Sequence, residues 1–340
     1  MAKRILTLLL ALLMVTMGMV GCGKEKKEST PDVPAGPKPE KHFNEVVMTI
    51  GDIEITYELY RYFYMSCRAN YESKGIAKTV DEIKAEVLGE LFYESAVHTL
   101  VNRFDAGLTV KQMETIEKEY QTLVQTYKEY GQDLQQTLET RYMTEKVYKD
   151  MYAFERYLTE NVFNYCKEKE NNVLDYSDEA VDKMLAEYNR AILIYVGVGE
   201  GDWGNRTDEN AKKKVDGILE KLADGEEFSE VAVNYTDKLD TDTKVGFYFK
   251  KGGLITEIEE VFFNLEAGQY HPEAIKTEDG YYIVYRAQPD KEYFTENLYP
   301  YYSFNDLLKQ TEESLSVVYS EFFTTMFDGK NLLPEITIEE

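Results

Sequence analysis

The chain has 340 residues and a formal net charge of −25, with 63 acidic against 38 basic side chains. That excess argues against a nucleic-acid-binding surface and against a polybasic patch for anionic lipid. It is compatible with solubility and with repelling acidic cell-surface polymers, and the length suits two domains rather than one.

Lys3 and Arg4 precede an apolar run from Ile5 to Val20, interrupted by Thr7, Thr16 and Gly18, and then by Gly21-Cys22. A basic n-region, an apolar h-region of roughly 15 residues and a small residue before the cut make a secretory signal. The run is short for the roughly 20 residues of a membrane span. Met19-Val20-Gly21-Cys22 resembles the bacterial lipobox, with Met where Leu is commoner. The resemblance implies a lipoprotein signal peptide over residues 1–21, a diacylglyceryl group on the Cys22 thiol and a mature chain that starts at the lipid. The expected location is the extracytoplasmic face of the cell membrane of a Gram-positive bacterium, where ATP is absent. Residues 22–43 read as a disordered tether. Pro31, Pro34, Pro37 and Pro39 are half of the eight prolines, and the segment has too little apolar surface to offset its ordering entropy.

After Cys22 only Cys67 and Cys166 remain, so at most one disulfide is possible; the alternative is two small buried hydrophobes. No HExxH, CxxC or GxSxG occurs, so neither a metal nor a cofactor is expected, and no nucleotide partner either.

Residues 44–186 read as a mainly helical domain. It opens with two β-branched runs, Val46 to Ile50 and Ile53 to Thr56, around Gly51-Asp52, which predicts a hairpin. Thr56 then caps a helix whose Tyr57, Tyr60, Tyr64, Cys67 and Tyr71 recur at steps of three and four. Val87, Leu88, Leu91, Phe92 and Leu100 form a second stripe. A longer helical stretch runs from Thr109 through Lys167, with Tyr120, Leu123, Tyr127 and Tyr130 on one side and a break at Gly131. The 28 tyrosines serve as helix cores at this spacing, and those left exposed could line a cradle for unfolded clients.

From Ser177 the pattern changes to a small α+β arrangement. Ser177 caps a helix to Tyr188, and Ala191 to Val196 read as a strand. Thr207 caps a helix with Val215, Ile218, Leu219 and Leu222 inward. Next come Gly225-x-x-Phe228-x-x-Val231-Ala232-x-x-Tyr235-Thr236, Val245-Gly246-Phe247, a helix from Leu254 to Phe263, Leu265 with Gly268, and Gly280-Tyr281-Tyr282-Ile283-Val284.

In order and approximate spacing these blocks resemble the parvulin (PpiC) family of peptidyl-prolyl isomerases, over residues 187–288, about a third of the chain. With the lipobox and the helical amino-terminal part, the chain is similar to the PrsA-type foldase lipoproteins and to SurA-like chaperones. The resemblance implies an inserted isomerase-like domain acting on unfolded or partly folded secreted proteins. Parvulins carry His before the first strand and again in the closing strand; here those positions are Ala191 and Tyr282. The proline pocket maps to Val245, Leu254, Ile258, Phe263 and Tyr282, apolar but without the family's aromatic wall. Asp237 and Asp240 are the candidates for the family's acidic residue. With no catalytic histidine in place, isomerase activity is expected to be weak or absent.

Residues 289–340 are expected to form a helix that returns to the helical domain, capped by Ser303 with Asp306 and striped by Leu315, Val318, Phe322 and Met326. Ile336-Thr337-Ile338 is expected to pair with the hairpin. The expected fold class is therefore α+β: a helical, chaperone-like domain built from both ends of the chain, with the parvulin-like domain inserted. The expected function is that of a membrane-anchored folding factor. Its alternatives are an active prolyl isomerase and, more remotely, the solute-binding lipoprotein of a transporter, which would need βαβ repeats.

Overall fold

In a computed structural model the structure describes residues 39–239 and 243–326. The signal peptide, Cys22, most of the tether, Asp240 and Ile336–Ile338 lie outside the described residues. The chain divides into two compact units, one formed by residues up to Asn171 and from Phe304 onward, the other by Asn172–Ser303.

The first unit begins with strands β1 (Val46–Ile50) and β2 (Ile53–Thr56), joined through Gly51 at φ +59°. The Thr56 side chain accepts from the Leu59 N–H and opens α1 (Tyr57–Ser73). Tyr57, Tyr60, Tyr64 and Cys67 bury themselves as one stripe against Val47, Ile50, Ile55 and the Ile83, Val87 and Leu91 row of α2 (Val80–Phe104). Tyr62, off that stripe, is also buried. Capping boxes at Thr79–Glu82 and Thr109–Gln112 start α2 and α3 (Val110–Glu129), each satisfying N–H groups that a helix leaves open. Gly131, at φ +69°, ends α3, and Tyr130 is left 66% exposed.

The expected long helix is instead α3, α4 (Leu134–Glu139), α5 (Glu145–Ala153), a π-helical segment (Phe154–Leu158) and α6 (Thr159–Lys167). Cys67 and Cys166 are both buried free thiols, so the disulfide alternative is not realised, and burial pushes their pKa values up to about 12 and about 11.

The second unit starts earlier and ends later than the parvulin-like blocks. Helix α7 (Asp178–Leu185), capped by Ser177 as expected, packs in this unit: its Val181 joins Tyr248, Phe294 and Tyr299 in one core. The sheet has the order β6-β3-β9-β7, with β8 also on β9, and every pairing is antiparallel. Here β3 is Asn189–Gly197, β6 Phe247–Phe249, β7 Gln269–Tyr270, β8 Ile275–Lys276 and β9 Gly280–Ala287. Between β3 and the next helix lies the small hairpin β4 (Gly199–Gly201) and β5 (Gly204–Arg206). Helices α8 (Asp208–Ala223) and α9 (Phe228–Tyr235) cover Ile192, Ile194, Val196 and Ile283 on one face. Helix α10 (Thr256–Asn264) covers Ala191 and Val284 on the other. No parallel pair and no βαβ repeat exists among the described residues, unlike the solute-binding alternative.

The carboxyl-terminal expectation needs correction. Ser303 is not a cap. A short helix α11 (Lys291–Tyr293), a π-helical segment (Phe294–Leu298) and α12 (Tyr299–Ser314) run through it without interruption. The stripe Leu315, Val318, Phe322 does not lie on one helix either. Val317–Tyr319 form strand β10, which pairs antiparallel with β1 as Met48↔Tyr319 and Ile50↔Val317. A short α13 (Glu321–Met326) follows and packs Phe322 and Phe323 on the first core. The hairpin thus gains its third strand from a segment closer in sequence than Ile336–Ile338.

Candidate functional site

The site is the α10-side face of the second unit's sheet. Directly opposed residues share a face in an antiparallel ladder. The register Ala191↔Arg286, Leu193↔Val284 and Tyr195↔Tyr282 therefore puts all six on that face. Ala191 and Tyr282, the two family histidine positions, share a face but not a neighbourhood. Four residues of strand, about 13 Å, separate their ladder positions. Ala191 is fully buried, and Gly246, at φ +79°, presses so close that a Cβ there would lie 2.8 Å from the Ala191 carbonyl oxygen.

Tyr282 lies with its ring centroid 4.9 Å from that of Tyr195, and Ile275 of β8 is its partner on the other side. Burial and the nearby Asp279 raise the Tyr282 pKa, and the same two causes push Tyr195 up to about 12. Both phenols are neutral hydrogen-bonding groups at physiological pH. The Tyr195 hydroxyl is committed, donating to the Asp279 carbonyl oxygen at 2.7 Å.

Leu254, Ile258, Phe263 and Tyr282 do come together, in one apolar cluster with Ala191, Leu193 and Val284. Ile258, 2% exposed, is the floor of that cluster rather than its surface. Val245 is not part of it; its carbonyl oxygen accepts from Arg190 Nε at 2.7 Å. The cluster has an aromatic lining: Phe247 and Phe263 are half-buried, with Phe249 and Phe262 buried in the same cluster. Alternation in Phe-Tyr-Phe at 247–249 was the sequence signal for it.

Asp237 is not a site acid. Burial acts to raise its pKa, but the Arg206 guanidinium, Lys214 at 2.7 Å and the Gly197 N–H at 2.9 Å outweigh that and hold it below the usual carboxylate range. It ties α8 and the β5 end to the end of β3. Asp240 lies outside the described residues.

His271 follows directly after β7. Its backbone N–H donates to the Val284 carbonyl oxygen at 2.9 Å, continuing the ladder set by Tyr270↔Tyr285. No ring of His42 or His98 is in this unit.

A sheet covered by two helices on one face and by a third across an aromatic-lined cluster is the layout of a parvulin-type domain. Residues 192–288 match the family model Rotamase, the PPIC-type PPIASE domain, so the chain carries a parvulin-type peptidyl-prolyl isomerase domain. Similar solved structures include PrsA from Bacillus subtilis, 18% identical, covering 88% of this chain and 96% of that chain, with a TM-score of 0.29. The foldase protein PrsA from Lactococcus lactis is 14% identical over 84% of this chain and 98% of that chain, TM-score 0.32. The solution structure of TbPIN1 is 22% identical over 30% of this chain and 99% of that chain, TM-score 0.28. No curated protein matches the chain.

Proposed function

We propose that this protein is a folding factor anchored by lipid at Cys22 on the extracytoplasmic face. Its PPIC-type domain binds proline-containing segments of unfolded secreted proteins and isomerises them slowly. The observation that carries the reading is the pairing of an intact apolar, aromatic-lined cluster with a fully buried Ala191 at a family histidine position. Prolyl rotation makes and breaks no covalent bond. Its barrier of about 18–20 kcal/mol falls when a site holds the twisted amide better than the planar one. Leu254, Phe263, Phe247 and Tyr282 supply the desolvating surface for such holding, while Ala191 offers no polar group.

Lipid attachment is supported by the basic, apolar and Gly21-Cys22 sequence alone. Mass spectrometry of membrane-extracted protein should find a diacylglyceryl Cys22 at the mature terminus, and a soluble product cut elsewhere refutes that part. For the domain, exchange spectroscopy of a proline peptide should show turnover above the uncatalysed tens to hundreds of seconds but below that of an ordinary parvulin. Turnover equal to an ordinary parvulin refutes the slow-site reading, and no peptide binding at all refutes the domain's role.

A further inference from the structure

The domain lacks an imidazole at both family positions, yet it places one on the same face by another route. Tyr270 turns to the α8–α9 side, where its ring lies 6.0 Å from Phe228. His271, next along the chain and bonded to Val284 through its N–H, falls by alternation on the opposite side. That is the face of Val284, Leu193, Tyr195 and Tyr282. Its ladder position is diagonal to Tyr282, a spacing of about 7–8 Å that long side chains bridge. The ring is fixed at one end: Nδ1 lies 2.7 Å from the Glu273 carbonyl oxygen. The Glu273 N–H lies 3.3 Å from the same Nδ1, so that residue's backbone engages Nδ1 in either tautomer. His271 is half-buried rather than part of the core.

We propose that His271 is the peptide-contacting imidazole of this site, its Nε2 hydrogen-bonding the backbone of a proline segment that packs on Tyr282 and Phe263. This deepens the isomerase reading and rests on it. The contact positions the amide without proton transfer. It gives a domain with Ala191 and Tyr282 at the family positions an imidazole beside its apolar cluster. Pro272, directly after it, holds the backbone and keeps the ring at the strand end.

The test uses the full chain with a proline-containing peptide as probe. The protein has three histidines, and the imidazole resonance lost in His271→Gln assigns the one of interest. Peptide addition should shift that resonance. His271→Ala should lower kcat/KM for isomerisation by about three- to tenfold, as expected for one hydrogen bond. It should leave thermal unfolding unchanged, and His271→Gln, which restores one hydrogen-bonding group, should recover part of the loss. A peptide that shifts the Tyr282 and Ile275 resonances but not His271 overturns this proposal alone. So does a His271→Ala variant with unchanged kcat/KM. A peptide that shifts no resonance of residues 172–303 overturns this proposal and the isomerase reading together.

Discussion

Tyr282 stands directly opposite Tyr195 on the β3–β9 ladder, ring centroids 4.9 Å apart, while Ala191 stands opposite Arg286 at the far end of the same face. The two departures from the family pattern therefore differ in kind. Tyr282 has replaced an imidazole with another polar aromatic at the open end of the cluster. Ala191 has been absorbed into the core between β6 and α10.

The obvious repair, Ala191→His with Tyr282→His, should accordingly fail. The Ala191 side chain is fully buried, and Gly246 closes on its carbonyl. Inserting an imidazole overpacks the core at a cost of about 1–3 kcal/mol. The double variant should unfold at lower temperature than the parent without a rise in isomerase turnover. Calorimetry with an exchange assay checks both, and a stable, more active double variant would contradict the packing argument.

Asp237→Asn should damage structure rather than chemistry. The carboxylate side chain is 6% exposed and is shared by Arg206 and Lys214. Removing its charge strands both cations. Since those partners are partly exposed, the cost falls at the low end for a buried pair, about 3 kcal/mol. The folded pKa is lowered, so the stabilisation is present above the unfolded value and lost as pH falls through the folded one. The lone Trp203 sits beside this cluster, its ring against Gly197 and Gly201, and its fluorescence reports the transition. An unchanged midpoint in denaturant would show the pair to be neutral.

The first unit carries an opposite pH dependence. Glu94 of α2 is 5% exposed, one oxygen is unpartnered, and burial raises its pKa to about 8. The unpartnered Tyr62 hydroxyl is buried too. Around the carboxyl stand His98 at 3.9 Å, Glu90, Asp150, Lys146 and, near Tyr62, Glu155 and Arg141. The folded state keeps a proton that the unfolded chain releases above about 4.5, so stability is full below that value and lost as pH rises toward about 8. Between about pH 6 and 8 the loss should approach 2–3 kcal/mol. Glu155, raised by burial to about 7, adds in the same direction. Burial lowers the His98 pKa, which removes stability only as pH falls. Glu94→Gln should flatten most of the slope in helical circular dichroism. A slope unchanged by that substitution would assign the effect elsewhere.

Much of this architecture is legible locally. Thr56, Thr79, Thr109, Ser177 and Thr207 each cap a helix, and hydroxyl caps are read from neighbours in sequence. What escaped depends on distant partners. Leu315, Val318 and Phe322 fit a helical period by coincidence, and only pairing with Met48 and Ile50 makes Val317–Tyr319 a strand. His271 lies just past β7, and only its N–H bond to Val284 ties it to the sheet. Ile258 and Val245 were legible as apolar, but whether an apolar residue lines a cluster, floors it or faces away is a property of register.

That third strand gives the last prediction. Leu315, Val317, Phe322 and Phe323 all pack on the core of β1, β2 and α1, and the Phe323 ring meets Tyr60 edge-on at 5.3 Å. Removing residues 315–340 would take away these four side chains and leave the outer edge of β1 unpaired. Losing one fully buried Phe costs about 3–5 kcal/mol, and these four part-buried side chains together reach a similar sum, a large share of the 5–15 kcal/mol that holds an ordinary domain. The truncated chain should therefore lose the helical transition of the first unit, or show it at much lower denaturant. The second unit, whose own three cores lie within residues 172–303, should unfold at its parental midpoint by Trp203 fluorescence. Phe323→Ala is the milder version and should move only the helical transition. If truncation leaves the helical transition in place, the carboxyl-terminal strand contributes nothing to the core that it covers.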